Sequence, residues 1–73
     1  MTHFKGGDRV YTSDGKLLGT VTETRGDLFK LDVPLAVDYW LRTDEVVQVE
    51  HGSVLMNFSE ADMTHHRIEA GAA

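Results

Sequence analysis

Gly7 through Val21 constrains this chain more than any other segment, because it reads as two short strands around a tight turn. The first strand covers about Arg9 to Thr12. Ser13-Asp14-Gly15 then turns the chain: aspartate bonds its own backbone two residues on, and glycine accepts positive φ without steric cost. The return strand, about Leu17 to Thr24, contains Gly19, and a glycine inside a strand marks a bulge or a close backbone approach. A bulge at Gly19-Thr20 is expected, which points Leu18 and Val21 inward together. A chain that opens on such a hairpin is the start of a small all-β domain.

The remaining segments keep this rhythm, with apolar runs every eight to twelve residues, the spacing of a small sandwich or barrel. Arg25-Gly26-Asp27 makes the next turn, and its position between strands accounts for the tripeptide without an adhesive role. Leu28 to Val33 alternates cleanly: Phe29, Leu31 and Val33 share one face, Lys30 and Asp32 the other. Pro34 ends that strand, since proline has no N–H for the ladder. Asp38 to Arg42 is a fourth strand, with Tyr39 and Leu41 opposite Trp40 and Arg42. Val46 to Glu50 is a fifth, with Val47 and Val49 expected in the core. His51-Gly52-Ser53 turns into a sixth, Val54 to Phe58. Ser59-Glu60-Ala61-Asp62 is a helix-start signal in which Ser59 accepts from a free N–H and Asp62 reaches back. A short helix to about His66 is expected, with Met63 inward. Residues 1–66 thus form one domain, and 67–73 a frayed tail.

Bulk properties narrow the function classes. Seventy-three residues suffice for one core and no more. There is no cysteine, so disulfides, thiolate zinc sites and iron–sulfur clusters are excluded, and a cytoplasmic setting is expected. Seven basic against twelve acidic residues leave a formal charge of −5. The basic residues are scattered among acids, whereas phosphate recognition needs a basic patch, so no nucleic-acid partner is expected. No apolar run approaches the roughly 18 residues of a membrane span, and no signal peptide is read at the N-terminus.

Val10-Tyr11-Thr12-Ser13-Asp14-Gly15 followed by Leu18-Gly19-Thr20-Val21 resembles the opening hairpin of PRC-barrel domains, named for the barrel of the photosynthetic reaction-centre H subunit. Asp38-Tyr39-Trp40-Leu41, Val46-Val47-Gln48-Val49 and Val54-Leu55-Met56-Asn57-Phe58-Ser59-Glu60-Ala61 resemble the family's later strands and terminal helix. The similarity covers about Gly7 to Met63 and is nearest to small stand-alone bacterial members of uncharacterised function. Relatives often carry a proline where this chain has Arg42. The resemblance implies a five- or six-stranded barrel with a short C-terminal helix. It also implies docking to protein partners, and it transfers no catalytic residues.

Candidate chemistry is sparse. Asp62, His65 and His66 are the best metal-like group, because residues three and four apart share a helix face and a borderline divalent ion accepts such ligands. His65 and His66 cannot both face Asp62 squarely, and a polar surface segment explains all three, so no metal or other cofactor is expected. Ser13, Ser53 and Ser59 occupy turn or cap positions, and neither His3 nor His51 pairs with a serine at a recognised spacing, so no enzyme is expected. Trp40 is the side chain of most interest. Alternation leaves two readings open: an outward anchor beside Arg42, or a ring covered by the terminal helix with Met63 upon it. Tryptophan and arginine are enriched at interface hot spots. The expected contact surface is therefore Trp40, Arg42, Asp44 and Glu45, for a protein partner or a second copy of the chain. Metal or small-ligand binding through the C-terminal histidines is the alternative.

Overall fold

The computed structural model describes residues 5–69. Seven strands form one sheet: β1 (Arg9–Tyr11), β2 (Leu17–Arg25), β3 (Leu28–Asp32), β4 (Tyr39–Arg42), β5 (Val46–Glu50), β6 (Ser53–Met56) and β7 (Ile68–Glu69). Two 3₁₀ segments, η1 (Thr43–Glu45) and η2 (Glu60–His65), follow β4 and β6. The spatial order is β5-β6-β1-β2-β3-β4-β7. All neighbours are antiparallel except β1 and β6, which pair in parallel. The all-β expectation holds. The expected barrel of five or six strands does not, because the described residues form seven strands in a sheet that is not closed, with β5 and β7 at its edges.

The sheet is nonetheless strongly curved, and chain length requires it. In a flat sheet β4 and β5 would stand five strand spacings apart, roughly 24 Å. Only η1 joins Arg42 to Val46, a reach of roughly 14 Å even if fully extended. The sheet must therefore roll until its fifth strand comes back towards its fourth. Rolling gives it an inner and an outer face. The inner face holds one core: Val10, Leu18, Val21, Phe29, Leu31, Tyr39, Leu41, Val54, Met56 and Phe58.

Local irregularities make the bend. On β2, Val10 pairs with Gly19 and Tyr11 with Leu17, so Leu18 is the extra residue, one position before the expected bulge. Leu18 and Val21 both point inward as expected. Gly19 is required by contact: a Cβ there would lie 2.4 Å from the Asp32 carbonyl oxygen. A third-strand partner at that distance leaves room for hydrogen only. A register shift also falls between Val21 and Glu23 on β2, and another between Val46 and Gln48 on β5, which overturns the expectation for Val47 and leaves that for Val49 standing. Val46 and Val49 pack on the core, while Val47 is pushed outward and is 62% exposed. The β5–β6 turn has positive φ at both His51 (48°) and Gly52 (79°), the handedness that matches strand twist in two-residue hairpins.

The first hairpin also organises the far end of the chain. The Thr12 side chain is fully buried; its hydroxyl accepts from the Lys16 N–H at 3.0 Å and donates to the Asp14 carboxylate. Ser13 N–H donates to the Phe58 carbonyl at 2.8 Å. Asp14 Oδ1 accepts from the Glu60 N–H at 3.3 Å, so the turn caps η2 from 46 residues away. Ser59, the expected cap, makes no side-chain cap bond; its hydroxyl instead donates to Asp62 at 3.4 Å. The expected short terminal helix is present as a 3₁₀ segment, Glu60–His65. Met63 packs against the core, as expected. Ile68 and Glu69, expected in a frayed tail, pair with Trp40 and Tyr39; the rest of that tail, from residue 70, lies outside the described residues.

Two measurements check this account. Gly19→Ala should cost about 2 kcal/mol or more in urea unfolding. Gly6→Ala, whose added Cβ would meet Val21 O at an ordinary 3.7 Å, should stay within about 0.5 kcal/mol. The Thr12 hydroxyl, and after it the Glu60 N–H, hold the Asp14 carboxyl below its ordinary value of 3.8. Its contribution is present above that ordinary value and fades as pH falls through the lowered one. Asp14→Asn should therefore lower stability at neutral pH, and the gap to wild type should shrink in acid below about pH 3.8.

Candidate functional site

The expected contact surface does not assemble as one patch. Trp40 lies on the outer face of β4, apart from the core cluster, yet it is only 4% exposed. Its cross-strand partners are Lys30 on β3 and Ile68 on β7. The Arg25 guanidinium carbon sits 5.1 Å from the ring centroid and Lys30 Nζ 6.0 Å. Cations over an indole face are attracted by its quadrupole, and their aliphatic stems cover apolar surface. The indole is therefore roofed by cations and a short strand, and does not stand out as an anchor. Met63 is on the core side instead.

Arg42 and Asp44 remain exposed and satisfy each other at 2.7 Å. Exposed pairs of this kind contribute little energy. Glu45 turns the other way: its Oε2 lies 2.5 Å from His66 Nδ1. The His66 ring stacks on Phe58 at 4.4 Å between centroids, with the planes 7° apart. Glu45 also accepts from the Asn57 N–H through its carbonyl, at 2.9 Å. These contacts clamp η1 against the end of β6 and the C-terminal segment. The carboxylate is a structural tie.

The same clamp takes up one member of the histidine group. His66 is engaged by Glu45 and Phe58, while Asp62 and His65 are exposed. Among the described residues no three His, Asp or Glu side chains gather as a metal-holding group.

Strand register reveals a surface that alternation alone did not. Gln48 pairs with Leu55, Leu55 with Tyr11, and Tyr11 with Leu17. Since Val10, Val54 and Val49 pack inward, this row lies on the outer face and crosses β5, β6, β1 and β2. Leu17 is 55% exposed, and Tyr11 and Leu55 are half-buried. A groove of about 390 Å³ opens along the row, lined by Tyr11, Leu55, Gln48, Glu50, His51 and Ser53. Its lining mixes apolar Val54 and Leu55 with polar Gln48, Glu50, His51 and Ser53, and Tyr11 brings both characters. Each residue is unremarkable in sequence; only the pairing of β1 with β6, about 40 residues apart, puts Tyr11 beside Leu55.

A second apolar feature stands on the β3–β4 loop. Leu35 is fully solvent-exposed and Val37 is 75% exposed. Leu35 adopts φ 60° after Pro34, with the Ala36 N–H donating to Val33 O at 3.2 Å. This is a tight turn whose third position favours glycine or asparagine.

Compared with known proteins, the chain matches no family model, no curated protein and no solved structure. No helix of the described residues is long and apolar enough to cross a membrane. Fold and surface define a small all-β domain with an open, rolled sheet and a grooved outer face.

Burial leaves the Tyr39 hydroxyl and Trp40 Nε1 without hydrogen-bond partners among the described residues. Burial also raises the Tyr39 pKa above 10.0, opposed by Arg67, whose guanidinium carbon lies 5.8 Å from that ring. A raised acid is neutral in the folded state when the unfolded one ionises, so its contribution is intact below about pH 10 and is lost as pH climbs past it. Tyr39→Phe should be neutral to about 1 kcal/mol stabilising at pH 7, and its advantage over wild type should widen above pH 10.0 in urea titrations.

Proposed function

We propose that this chain is a non-catalytic protein-interaction module of PRC-barrel type, acting in the cytoplasm. Its contact surface is the outer-face row Leu17–Tyr11–Leu55 with the groove beside it. The observation that carries the reading is the row itself. Three apolar or amphipathic side chains on three adjacent strands lie on the outer face, outside the core. Contiguous apolar surface with a polar rim marks contact sites, and tyrosine is a preferred anchor at their centres. The PRC-type architecture rests on the opening hairpin's motif and on a sheet that η1 bends almost round upon itself. The cytoplasmic setting rests on the absence of cysteine.

The surface differs from the Trp40 patch in one respect that matters for binding. Trp40 has its covering residues within the chain, whereas the Tyr11–Leu55 groove is open. The exposed Arg42–Asp44 pair contributes charge at a distance and little contact energy.

A photo-crosslinking amino acid replacing Leu55 in cells should form a discrete protein adduct. The same group replacing Thr24, exposed at the opposite end of β2, should not. Tyr11→Ser should abolish the adduct while the melting temperature shows a folded domain. No adduct at Leu55, or the same adducts from both positions, would overturn the reading.

A further inference from the structure

The unsatisfied polarity of this fold gathers under its C-terminal strand. Among the described residues three buried side-chain polar atoms have no hydrogen-bond partner: the Tyr39 hydroxyl, Trp40 Nε1 and Glu45 Oε1. Tyr39 and Trp40 are the two residues that β7 pairs with. Glu45 is the acid that holds His66, two residues before β7 begins. A buried polar group without a partner is a cost to the state that buries it. The seated position of β7 is therefore penalised by what it covers.

β7 is also lightly attached. It is two residues long, whereas β4 offers four, Tyr39–Arg42. Ile68 is half-buried and Glu69 exposed, and neither belongs to the core cluster. The contact between Arg67 and Glu69, at 3.7 Å, is internal to the strap and does not fasten it to β4. The firm tie lies at its root, where His66 sits between Glu45 and Phe58. β7 can thus lift from β4 while the core stays packed.

Lifting it bares a strand edge with a cationic roof. The backbone of Tyr39 and Trp40 loses its ladder partner, and an edge in that state takes up an extended chain. The Arg25 guanidinium carbon lies 5.1 Å and Lys30 Nζ 6.0 Å from the Trp40 ring. Arg25 also pairs with Glu23 at 3.0 Å, but Lys30 makes no ion pair among the described residues. Trp40 Nε1 adds a donor in want of an acceptor. β7 itself shows what fits this edge: an extended, antiparallel segment with apolar Ile68 opposite Trp40 and acidic Glu69 next to it.

We propose that β7 is a detachable strap, and that the β4 edge beneath it takes an extended acidic segment of a partner protein. That segment adds antiparallel to β4, sets an apolar side chain over Trp40 and turns carboxylates towards Lys30 and Arg25. The surface is separate from the Tyr11–Leu55 groove and does not depend on it. β7 then acts as an internal competitor, because the partner's affinity is reduced by the fraction of molecules whose strap is seated.

Trp40 is the only tryptophan, so its fluorescence reads this edge directly in the full chain. The probes are two capped peptides, Ac-Glu-Ile-Glu-Val-Glu-amide and its basic counterpart Ac-Lys-Ile-Lys-Val-Lys-amide. The acidic peptide should shift Trp40 emission saturably below about 1 mM, and the basic one should bind at least about tenfold more weakly. Ile68→Gly loosens the strap itself and His66→Ala its root. Either should raise acrylamide quenching of Trp40 and tighten the acidic peptide at least about threefold. Lys30→Glu should cancel the preference for acid. No saturable shift, equal affinity for both peptides, or unchanged affinity in a folded, loosened variant would overturn the proposal. Unfolding of both loosened variants would also overturn it, by making β7 an integral strand. So would a Trp40 signal that changes with the concentration of wild type alone, which would give the edge to a second copy of the chain.

Discussion

Three residues are all that carry the chain from β4 to β5, and the rest of the structure follows from that shortness. A link of roughly 14 Å at most cannot bridge a flat sheet of this order, so the sheet rolls. Rolling separates an inner face, which takes the core cluster from Val10 to Phe58, from an outer face that has no second layer to cover it. Parallel pairing of β1 with β6 then joins the β5–β6 hairpin to the first strand of the sheet. The bulges at Leu18, Thr22 and Val47 are where the ladder yields to the curvature. Gly19 is where two backbones come too close for any side chain.

A small domain without disulfides must hold its ends by other means. Here the first turn does so. Asp14 shapes its own hairpin through Thr12 and caps η2 through Glu60, so one carboxylate ties residue 12 to residue 60. The Glu45–His66–Phe58 cluster repeats the arrangement at η1. Between them, β7 is placed against β4 and roofs Trp40. The outer face is thereby divided: a half around Trp40 that the chain covers itself, and a half around Tyr11 and Leu55 that it leaves open.

Legibility in the sequence followed the range of the interaction. The clean alternation of Phe29 and Leu31 and of Tyr39 and Leu41 was readable because a strand's period is local. The turns at Asp14-Gly15 and His51-Gly52 were readable for the same reason. Val47 was misplaced because one extra residue in β5 puts Val46 and Val49, three apart, on the same face. Ser59 was the expected cap because a nearby hydroxyl is the usual solution; the Glu60 N–H instead donates to Asp14, 46 residues away. Trp40 and Glu45 looked available because their covers, Ile68 and His66, come from a segment with no strong pattern of its own. The burial of Trp40 and Glu45 was not legible for that one reason.

By itself, then, the sequence determined the class of fold, the position of most strands and turns, and the absence of any thiol chemistry. Each depends on residue types or on neighbours a few positions apart. Only the tertiary structure decided that the sheet stays open, which apolar side chains face outward, and which of the outward ones remain uncovered. Those outcomes depend on register between strands distant in the chain, above all β1 with β6 and β4 with β7. Register is set by the combined packing of the core and the reach of one short link, and no local pattern encodes either.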